Sequence, residues 1–275
     1  MTQHEVVYVK LGGSLITDKT RPETPRPDLI RRLAREIYTA LNERPHMRLL
    51  LGHGSGSFGH VVGRAYNVRA GVRDARGWEG YARTAAAAAR LNRIVTDIFL
   101  DEGVHVVSLP PSASAWCVDG VLVHMDVRAH RTLLQVGIVP LVFGDVALDE
   151  VRGGTIVSTE EVFVYLSRAD ETLRPHRIYL VGEVDGVYTG DPHRDPDARL
   201  ISRLFAKDVA RLDGLGRSHG VDVTGGMAAK VELMAALVRE MPSLTVHIIG
   251  GTAPNTLYRA LVDPHADIGT RLVVG

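Results

Sequence analysis

Three glycine-rich segments carry the residue types from which a phosphate-binding site can be built. They are KLGGS at Lys10–Ser14, GHGSGSFGH at Gly52–His60 and DVTGGMAAK at Asp222–Lys230. Glycine has no Cβ, so the backbone N–H groups of such a loop can converge on an anion, and a helix that starts there adds further donors. Each segment has a basic group beside it, namely Lys10 with Lys19, His60, and Lys230. One loop alone is as readily a tight turn, but three with attached cations predict phosphate chemistry and two phosphorylated ligands.

The middle segment matches two known phosphate-loop patterns only in part. Gly54, Gly56 and Gly59 spell G-x-G-x-x-G, and a dinucleotide site then needs an acid at a strand end about 20 residues later. The stretch 63–80 is instead rich in arginine and glycine, and its Glu79 lies at the start of a predicted helix. The phosphate loop of nucleotide hydrolases requires Lys and then Ser or Thr after Gly59, where this chain has His60 and Val61. The remaining interpretation is a loop that binds a phosphate, with the His60 imidazole donating a hydrogen bond to it. Alternatively, His60 only begins a helix and faces solvent.

The elements that must position these loops alternate along the chain. Apolar runs predict strands at 6–11, 47–51, 104–109, 138–143, 177–182, 244–249 and 268–274. Helical patterns cover 28–41, capped by Asp28, then 78–100, 126–136, 160–168, 227–239 and 254–262, and a short helix is expected after the second glycine loop. Hairpins are expected near Asp119-Gly120 and over 145–157, the latter turning at Gly153-Gly154. Buried strands separated by helices predict an α/β fold with a mainly parallel sheet covered on both faces.

Composition and charge argue against nucleic-acid-binding, membrane and secreted proteins. Lysine plus arginine and aspartate plus glutamate both number 32 among 275 residues, so no net field favours nucleic acid or an anionic membrane. No run approaches the length of a membrane span, no signal peptide is evident, and the single cysteine, Cys117, suits a reducing cytoplasm. The best boundary within the chain lies near Ser167–Pro175, which divides it into residues 1–170 and 171–275.

Four segments taken together resemble the amino acid kinase superfamily, and within it the isopentenyl phosphate kinases. They are VKLGGSLITDK, GHGSGSFGH, VDGVYTGDP and DVTGGMAAK, in this order between Val6 and about Gly251. The first and third are typical of the whole superfamily and indicate fold and phosphoryl transfer. The ending G-x-F-G-H at His60, together with I-T-D-K at Lys19, is narrower and indicates an acceptor that is itself a monophosphate or phosphonate.

The resemblance implies a three-layer αβα sandwich, usually a homodimer, in which residues 1–170 bind the acceptor and residues 171–275 bind ATP with Mg²⁺. The implied reaction converts isopentenyl phosphate, and also dimethylallyl phosphate, to the diphosphate. Lys10 and Lys19 would contact the transferring phosphoryl group, and His60 would hydrogen-bond the acceptor phosphate. The implied acceptor contacts are Gly54, Ser55, Gly56, Gly59, His60, Thr159 and Glu160, and the implied nucleotide contacts are Lys10, Gly12, Gly13, Ser14, Ser55, Asp185, Gly186, Gly225, Gly226 and Lys230. No residue is assigned to a metal.

The chain departs from the family's common pattern at several of these positions. Ser55 replaces the middle of three glycines, Thr159 replaces a glycine expected to donate its N–H to the acceptor phosphate, and Glu160 replaces a shorter aspartate. Glu183 stands where the family has an aspartate in T-D-V-D-G.

Two other functions stay open at this point. The first is a kinase of a small phosphonate such as fosfomycin, and the second is a non-catalytic nucleotide sensor that descends from a kinase. An apolar pocket around residues 78–95, which include the alanine run 85–89, would favour a prenyl acceptor, and a small polar pocket would favour fosfomycin.

Overall fold

The computed structural model describes residues 4–190, 195, 197–211 and 226–275. Its strands are β1 (Glu5–Leu11), β2 (Met47–His53), β3 (Val106–Ser108), β4 (Trp116–Val118), β5 (Val121–His124), β6 (Val139–Phe143), β7 (Asp145–Asp149), β8 (Gly153–Val157), β9 (Arg177–Gly182), β10 (Arg203–Phe205), β11 (Thr245–Gly250) and β12 (Thr270–Val273). Its α-helices are α1 (Gly13–Ile16), α2 (Pro27–Glu43), α3 (Gly56–Ala65), α4 (Ala75–Asp101), α5 (Arg128–Gln135), α6 (Thr159–Ala169), α7 (Gly226–Glu240) and α8 (Thr256–Val262).

Two sheets organise the described residues. The larger has eight strands in the order β10-β12-β11-β9-β1-β2-β6-β3, and the smaller has four in the order β5-β4-β7-β8. Every neighbouring pair in the larger sheet is parallel except β11 with β12. The expectation of an α/β fold with a mainly parallel sheet is therefore confirmed.

The core lies on both faces of the larger sheet. Tyr8 of β1 packs with residues of α5, α6 and α7 on one face, and Val9 packs with residues of α2, α4 and α8 on the other. Successive side chains of a strand point to opposite faces, so burial on both sides requires the unbroken apolar runs seen in the sequence. These three layers are the αβα sandwich that the resemblance implied.

The larger sheet continues across the boundary that was expected near residue 170. α6 ends at Ala169, but β9, which follows it, pairs with β1 over Val7–Leu11. The strands from the two parts of the chain therefore form one sheet, and their loops can meet at one edge.

Two local predictions were wrong. Asp28 does not cap its helix, because Pro27 occupies the first helical position, where a fixed φ and a missing N–H cost nothing, and Asp28 falls inside the first turn. The hairpin of β7 and β8 turns before Gly153-Gly154, at residues 150–152, because the Asp149 carboxylate accepts the backbone N–H groups of Val151 and Arg152.

None of the described helices is both long enough and apolar enough to cross a lipid bilayer.

Candidate active site

A cleft opens where four parallel strands end. β2, β1, β9 and β11 are consecutive neighbours in the sheet, and the loops that follow them leave from the same edge. The first two of these loops are the glycine-rich segments after Lys10 and after Gly52. The topology therefore brings together loops that are separated by many residues in the sequence.

Most of the expected site residues line this cleft. They are Lys10, Gly12, Gly13, Ser14, Lys19, Gly54, Ser55, Gly59, His60, Thr159, Glu160 and Lys230. Four others are described but do not line it, namely Gly56, Asp185, Gly186 and Gly226. Gly225 lies outside the described residues.

A buried ion pair forms the floor of the cleft. Lys10 Nζ donates to Glu160 Oε1 at 2.7 Å, and the two side chains are 8% and 3% exposed. Burial opposes ionisation of Glu160, but the positive charges of Lys10 and Lys230 outweigh it and lower the pKa of the carboxyl. The pair thus holds the Lys10 ammonium at the end of β1, beside the loop that begins at Gly12.

The first turn of α6 presents Glu160 to the cleft. Ser158 caps the helix, because its hydroxyl accepts the Glu161 N–H while the Glu161 carboxylate accepts the Ser158 N–H. This capping box fixes where the helix begins. It also places the Glu160 carboxylate near the positive end of the helix dipole, which favours its ionised form.

The side chain of Thr159 is held against the end of β2. Its hydroxyl donates to the carbonyl of His53 at 2.6 Å, and its methyl group lies over Gly52, where an added Cβ would stand 2.5 Å from that methyl carbon. Gly52 therefore makes the space that the threonine needs. Ser55 is accommodated in the same way, because a Cβ on Gly59 would lie 2.7 Å from the Ser55 Cβ.

The two glycine loops touch each other through their backbones. A Cβ on Gly13 would lie 2.7 Å from the Gly56 Cα, and one on Gly54 would lie 2.8 Å from the Gly13 nitrogen. Gly56 also has a φ of +49°, in the left-handed region that favours glycine. Gly56 is therefore required by the contact between the loops, which explains its place behind the cleft wall.

His53 holds the second glycine loop from beneath. The ring is fully buried and stacks on Phe143 with the ring centroids 5.6 Å apart. Burial, aided by the charge of Lys10, lowers the pKa of His53, so the ring is neutral at neutral pH. Its Nδ1 lies 3.1 Å from the Gly54 carbonyl, which can only accept, so Nδ1 carries the proton.

The tautomer of His53 fixes the peptide between Gly54 and Ser55. Nε2 must therefore accept, but the atom that lies 3.2 Å from it is Asn92 Oδ1. Turning the Asn92 amide by half a revolution places its donating nitrogen on Nε2 and lets its oxygen accept from the Ser108 hydroxyl. With the Gly54 carbonyl held on the ring, the N–H of Ser55 points to the opposite side, because C=O and N–H are antiparallel across a trans peptide. Sequence reasoning missed His53, although a histidine directly before the glycines was a visible signal.

Within the part of the chain that the structure describes, four cationic or potentially cationic side chains line the cleft. Lys10 lies at the floor, Lys230 enters from α7, Lys19 is exposed in the turn after α1, and His60 is half-buried on α3. Two phosphates bound in this cleft would repel each other. These positive groups could offset that repulsion, since each of them borders the same space.

The segment after β9 borders the cleft with the residues that precede Asp185. The cleft is lined there by Gly182, Glu183 and Val184, whereas the Asp185 carboxylate lies against Gly250. Gly186 packs against Thr270, where a Cβ would lie 2.6 Å from the hydroxyl oxygen. In this structure Asp185 and Gly186 form the base of the loop, and the residues before them face the cleft.

One wall of the cleft is apolar. Ala88 from α4 and Ile156 and Val157 from β8 line it, together with Thr84, whose hydroxyl is used in a bond to the Gly80 carbonyl. This wall adjoins His60. Periodicity alone placed the alanine run on a helix but could not choose which alanine faces the cleft.

A buried carboxyl also reaches the cleft and was not predicted. Asp145 is 2% exposed and accepts the backbone N–H groups of Ser112 and Val146. Burial is the larger effect on it and raises its pKa. The turn Gly144-Asp145 directly after an apolar strand was the only signal in the sequence.

Comparisons with known proteins agree with this geometry. The sequence profile of the amino acid kinase family matches residues 5–250. An isopentenyl phosphate kinase of Methanothermobacter thermautotrophicus is 34% identical over 275 residues, covering 97% of this chain and 98% of that protein. One from Haloferax volcanii is 34% identical over 260 residues, covering 92% and 98%. A solved isopentenyl phosphate kinase structure superimposes with a TM-score of 0.82 at 31% identity, covering 97% of this chain and all of that one.

Proposed function

The chain belongs to the amino acid kinase family, and from this premise we propose that it transfers the γ-phosphoryl group of ATP to the phosphate of isopentenyl phosphate. The bond between Pγ and the bridging oxygen of ADP breaks, and a bond forms between Pγ and an oxygen of the acceptor phosphate. The products are isopentenyl diphosphate and ADP. A phosphate monoester is already ionised at neutral pH, so no general base is required.

One observation carries the choice of acceptor. His60 and the loop of Gly54 and Ser55 border the same cleft as the apolar wall of Ala88 and Ile156. A phosphate on the first surface would place a five-carbon apolar tail along the second. An apolar wall is expected of a pocket that binds a prenyl acceptor. The same wall offers few hydrogen-bond partners to a small polar phosphonate.

The cationic groups have separate roles in this proposal. Phosphoryl transfer depends on in-line positioning and on stabilisation of charge, and little covalent help is needed. Lys10, held by Glu160, and Lys19 would contact the transferring group. His60 would donate to the acceptor phosphate, and Lys230 would contact the nucleotide.

Magnesium would accompany ATP. Among the described residues three acids line the cleft. Glu160 is paired with Lys10, Glu183 is paired with Arg26, and Asp145 accepts two backbone N–H groups. Mg²⁺ is commonly held by one or two carboxylates together with substrate phosphates and water. This donor set fits an ion that takes most of its ligands from the phosphates, and the ion would supply charge neutralisation.

The proposal extends to the two parts of the chain, the oligomeric state and the compartment. Residues 1–170 would bind the acceptor and residues 171–275 the nucleotide, with the cleft between their strand ends. We also propose a homodimer that acts in the cytoplasm on isopentenyl and dimethylallyl phosphate. Cys117 is a free thiol, as is usual for a protein of a reducing compartment, and burial keeps it unreactive by raising its pKa to about 12.

The test is a coupled ADP-release assay with Mg-ATP and five acceptors. These are isopentenyl phosphate, dimethylallyl phosphate, geranyl phosphate, fosfomycin and acetylglutamate. A strong preference for the five-carbon prenyl phosphates is expected. Turnover of fosfomycin alone would keep the fold and the phosphoryl chemistry but refute the acceptor.

A variant of the phosphate loop tests the assignment of ligands. His60→Ala should raise KM for isopentenyl phosphate roughly 10- to 100-fold, the effect of one hydrogen bond to a charged group, with KM for ATP nearly unchanged. Val61→Ala is the matched control, because Val61 is the next residue on the same helix and is exposed. Equal losses for both substrates in His60→Ala would mean that the loop binds the nucleotide.

A further inference from the structure

A second pocket lies at the opposite end of the larger sheet from the cleft. Glu5, Arg177 and Thr245 are the first residues of β1, β9 and β11, and all three line it. The cleft is built where these same strands end. The pocket is completed by His176, Arg203, His247, Pro264, His265, Arg271 and Val273. We call it the arginine–histidine pocket.

The lining of this pocket is strongly basic. It contains three arginines and three histidines, and Glu5 is the only acid among the described residues that line it. Glu5 is already paired with Arg44, at 2.7 Å, as well as with Arg177. Within the described part of the chain, Arg203 and Arg271 take part in no carboxylate ion pair, so their charges are not balanced by the protein there. Asp263, which does not line the pocket, accepts the His265 backbone N–H.

Strand register forces these positive groups together. Arg203 on β10 is directly beside Arg271 on β12, and Arg271 is opposite His247 on β11. Residues at matched positions point to the same face of a sheet, and like charges placed opposite one another are unfavourable. Burial, followed by the charges of Arg177, Arg271 and His265, lowers the pKa of His247 to about 4, so this ring is neutral at neutral pH.

Arg177 supplies an independent sign of a ligand. Its residue is 8% exposed, and its Nε is buried without a hydrogen-bond partner among the described residues. Its pairing with Glu5 leaves that N–H unused. A buried guanidinium donor left unsatisfied is costly, and such groups are rare in native structures unless a water or an ion completes them.

His176 adds a donor of fixed direction. Its Nδ1 accepts the backbone N–H of Val6 at 3.2 Å, so the neutral ring carries its proton on Nε2. The ring is exposed at the mouth of the pocket and can donate to a ligand there.

We propose that the arginine–histidine pocket is a binding site for a phosphate-type oxyanion. Arginine offers parallel N–H groups that match two oxygens of a phosphate, and here guanidinium groups from β9, β10 and β12 converge with imidazole donors. The anion is either free phosphate or diphosphate, or the phosphate group of a metabolite. This inference does not depend on the proposed function, because none of its residues lines the cleft.

The solution test uses inorganic pyrophosphate and isothermal titration calorimetry without magnesium. The wild-type protein should bind in two classes of site, since the cleft also offers phosphate-binding groups. The double variant Arg203→Gln with Arg271→Gln should lose one class, with affinity lowered at least about tenfold, as expected when hydrogen bonds to a charged group are removed. Turnover of the kinase should be unchanged in this variant.

The matched control removes the same charge elsewhere. Arg93→Gln with Arg168→Gln breaks two exposed ion pairs, to Asp97 and Glu240, and none of these four residues lines the pocket. It should keep both classes of site. Equal binding by the wild type and both double variants would overturn the proposal, and so would equal loss in the two double variants, which would indicate an effect of net charge.

A crystal soaked in selenate locates the anion directly. An anomalous peak in contact with Arg177, together with the loss seen by calorimetry, supports the site. A peak without binding in solution would mean an adventitious ion only and would overturn the proposal. Titration with ADP beside pyrophosphate separates the sources, because a nucleotide site would favour ADP and a site for the free anion would not.

Discussion

Removal of Glu160 is the sharpest test of how the cleft is held together. Lys10 and Glu160 are joined at 2.7 Å with side chains 8% and 3% exposed, so neither charge is solvated by bulk water. Glu160→Ala leaves the Lys10 ammonium buried without its carboxylate. Breaking one partner of a buried pair costs about 3–5 kcal/mol, and we expect a loss of that size in the free energy of unfolding.

A second variant separates stability from catalysis. Replacing both members by apolar residues, as in Lys10→Met with Glu160→Leu, removes the buried charges together, and such replacements are often neutral or stabilising. We therefore expect this double variant to unfold within about 1 kcal/mol of the wild type. Its turnover should nevertheless fall by roughly 10²- to 10³-fold, the usual effect of removing one charge-stabilising donor.

Urea denaturation and the ADP-release assay measure the two quantities on the same samples. Glu232→Ala is the control, because Glu232 is an exposed acid on α7 and its loss should change stability by no more than about 0.5 kcal/mol. A double variant as unstable as Glu160→Ala would show that the pair is not the source of the loss. A double variant that kept full turnover would remove Lys10 from the mechanism.

Four further results are expected. Lys19→Ala should lower kcat about 10²-fold with little change in KM for ATP, because its exposed ammonium acts on the transferring group; unchanged turnover would exclude that role. His53→Phe keeps a ring against Phe143 but frees the Gly54 carbonyl, so it should cost about 1–3 kcal/mol of stability and raise KM for the acceptor more than for ATP. Ile156→Ala should shift the ratio of kcat/KM toward geranyl phosphate by roughly 15- to 60-fold, since about two to three methylene groups that contact the shorter tail are lost at about 0.8 kcal/mol each; an unchanged ratio would place the tail elsewhere. The pKa of Glu160 in the folded protein is lower than its ordinary value of 4.5. Its contribution to the free energy of unfolding is therefore present above pH 4.5 and is lost as the pH falls through the pKa of the folded state. Glu160→Gln should make the free energy of unfolding less dependent on pH in this acid range.

Most of the residues that line the cleft could be predicted from the sequence. The glycine loops, Lys10, Lys19, His60 and Lys230 were each identified from residue type and from position after an apolar run, and all of these cations line one cleft. Such signals are local, because a strand that ends in glycines exposes its backbone N–H groups whatever surrounds it. The α/β fold class could also be predicted, since strands covered on both faces must be continuously apolar.

The hairpin turn was misplaced because a competing local signal was overlooked. The carboxylate of Asp149 accepts the N–H groups two and three residues later and so places the turn ahead of Gly153-Gly154. Asp185, which the resemblance assigned to the nucleotide, lies against Gly250, a residue of another strand end. The contact between Asp185 and Gly250 depends on the pairing of β9 with β11 and does not follow from the propensity of either residue.

By itself the sequence determined which groups are present and which strand each one follows, because these depend on residue type and on a short periodic pattern. Only the tertiary structure decided which of them meet. Lys10 pairs with Glu160 across 150 positions of the chain, and Ala88 joins Ile156 beside His60. The physical reason is that contacts between distant segments are set by strand order and by the register of one strand against the next, and neither is encoded in the local pattern.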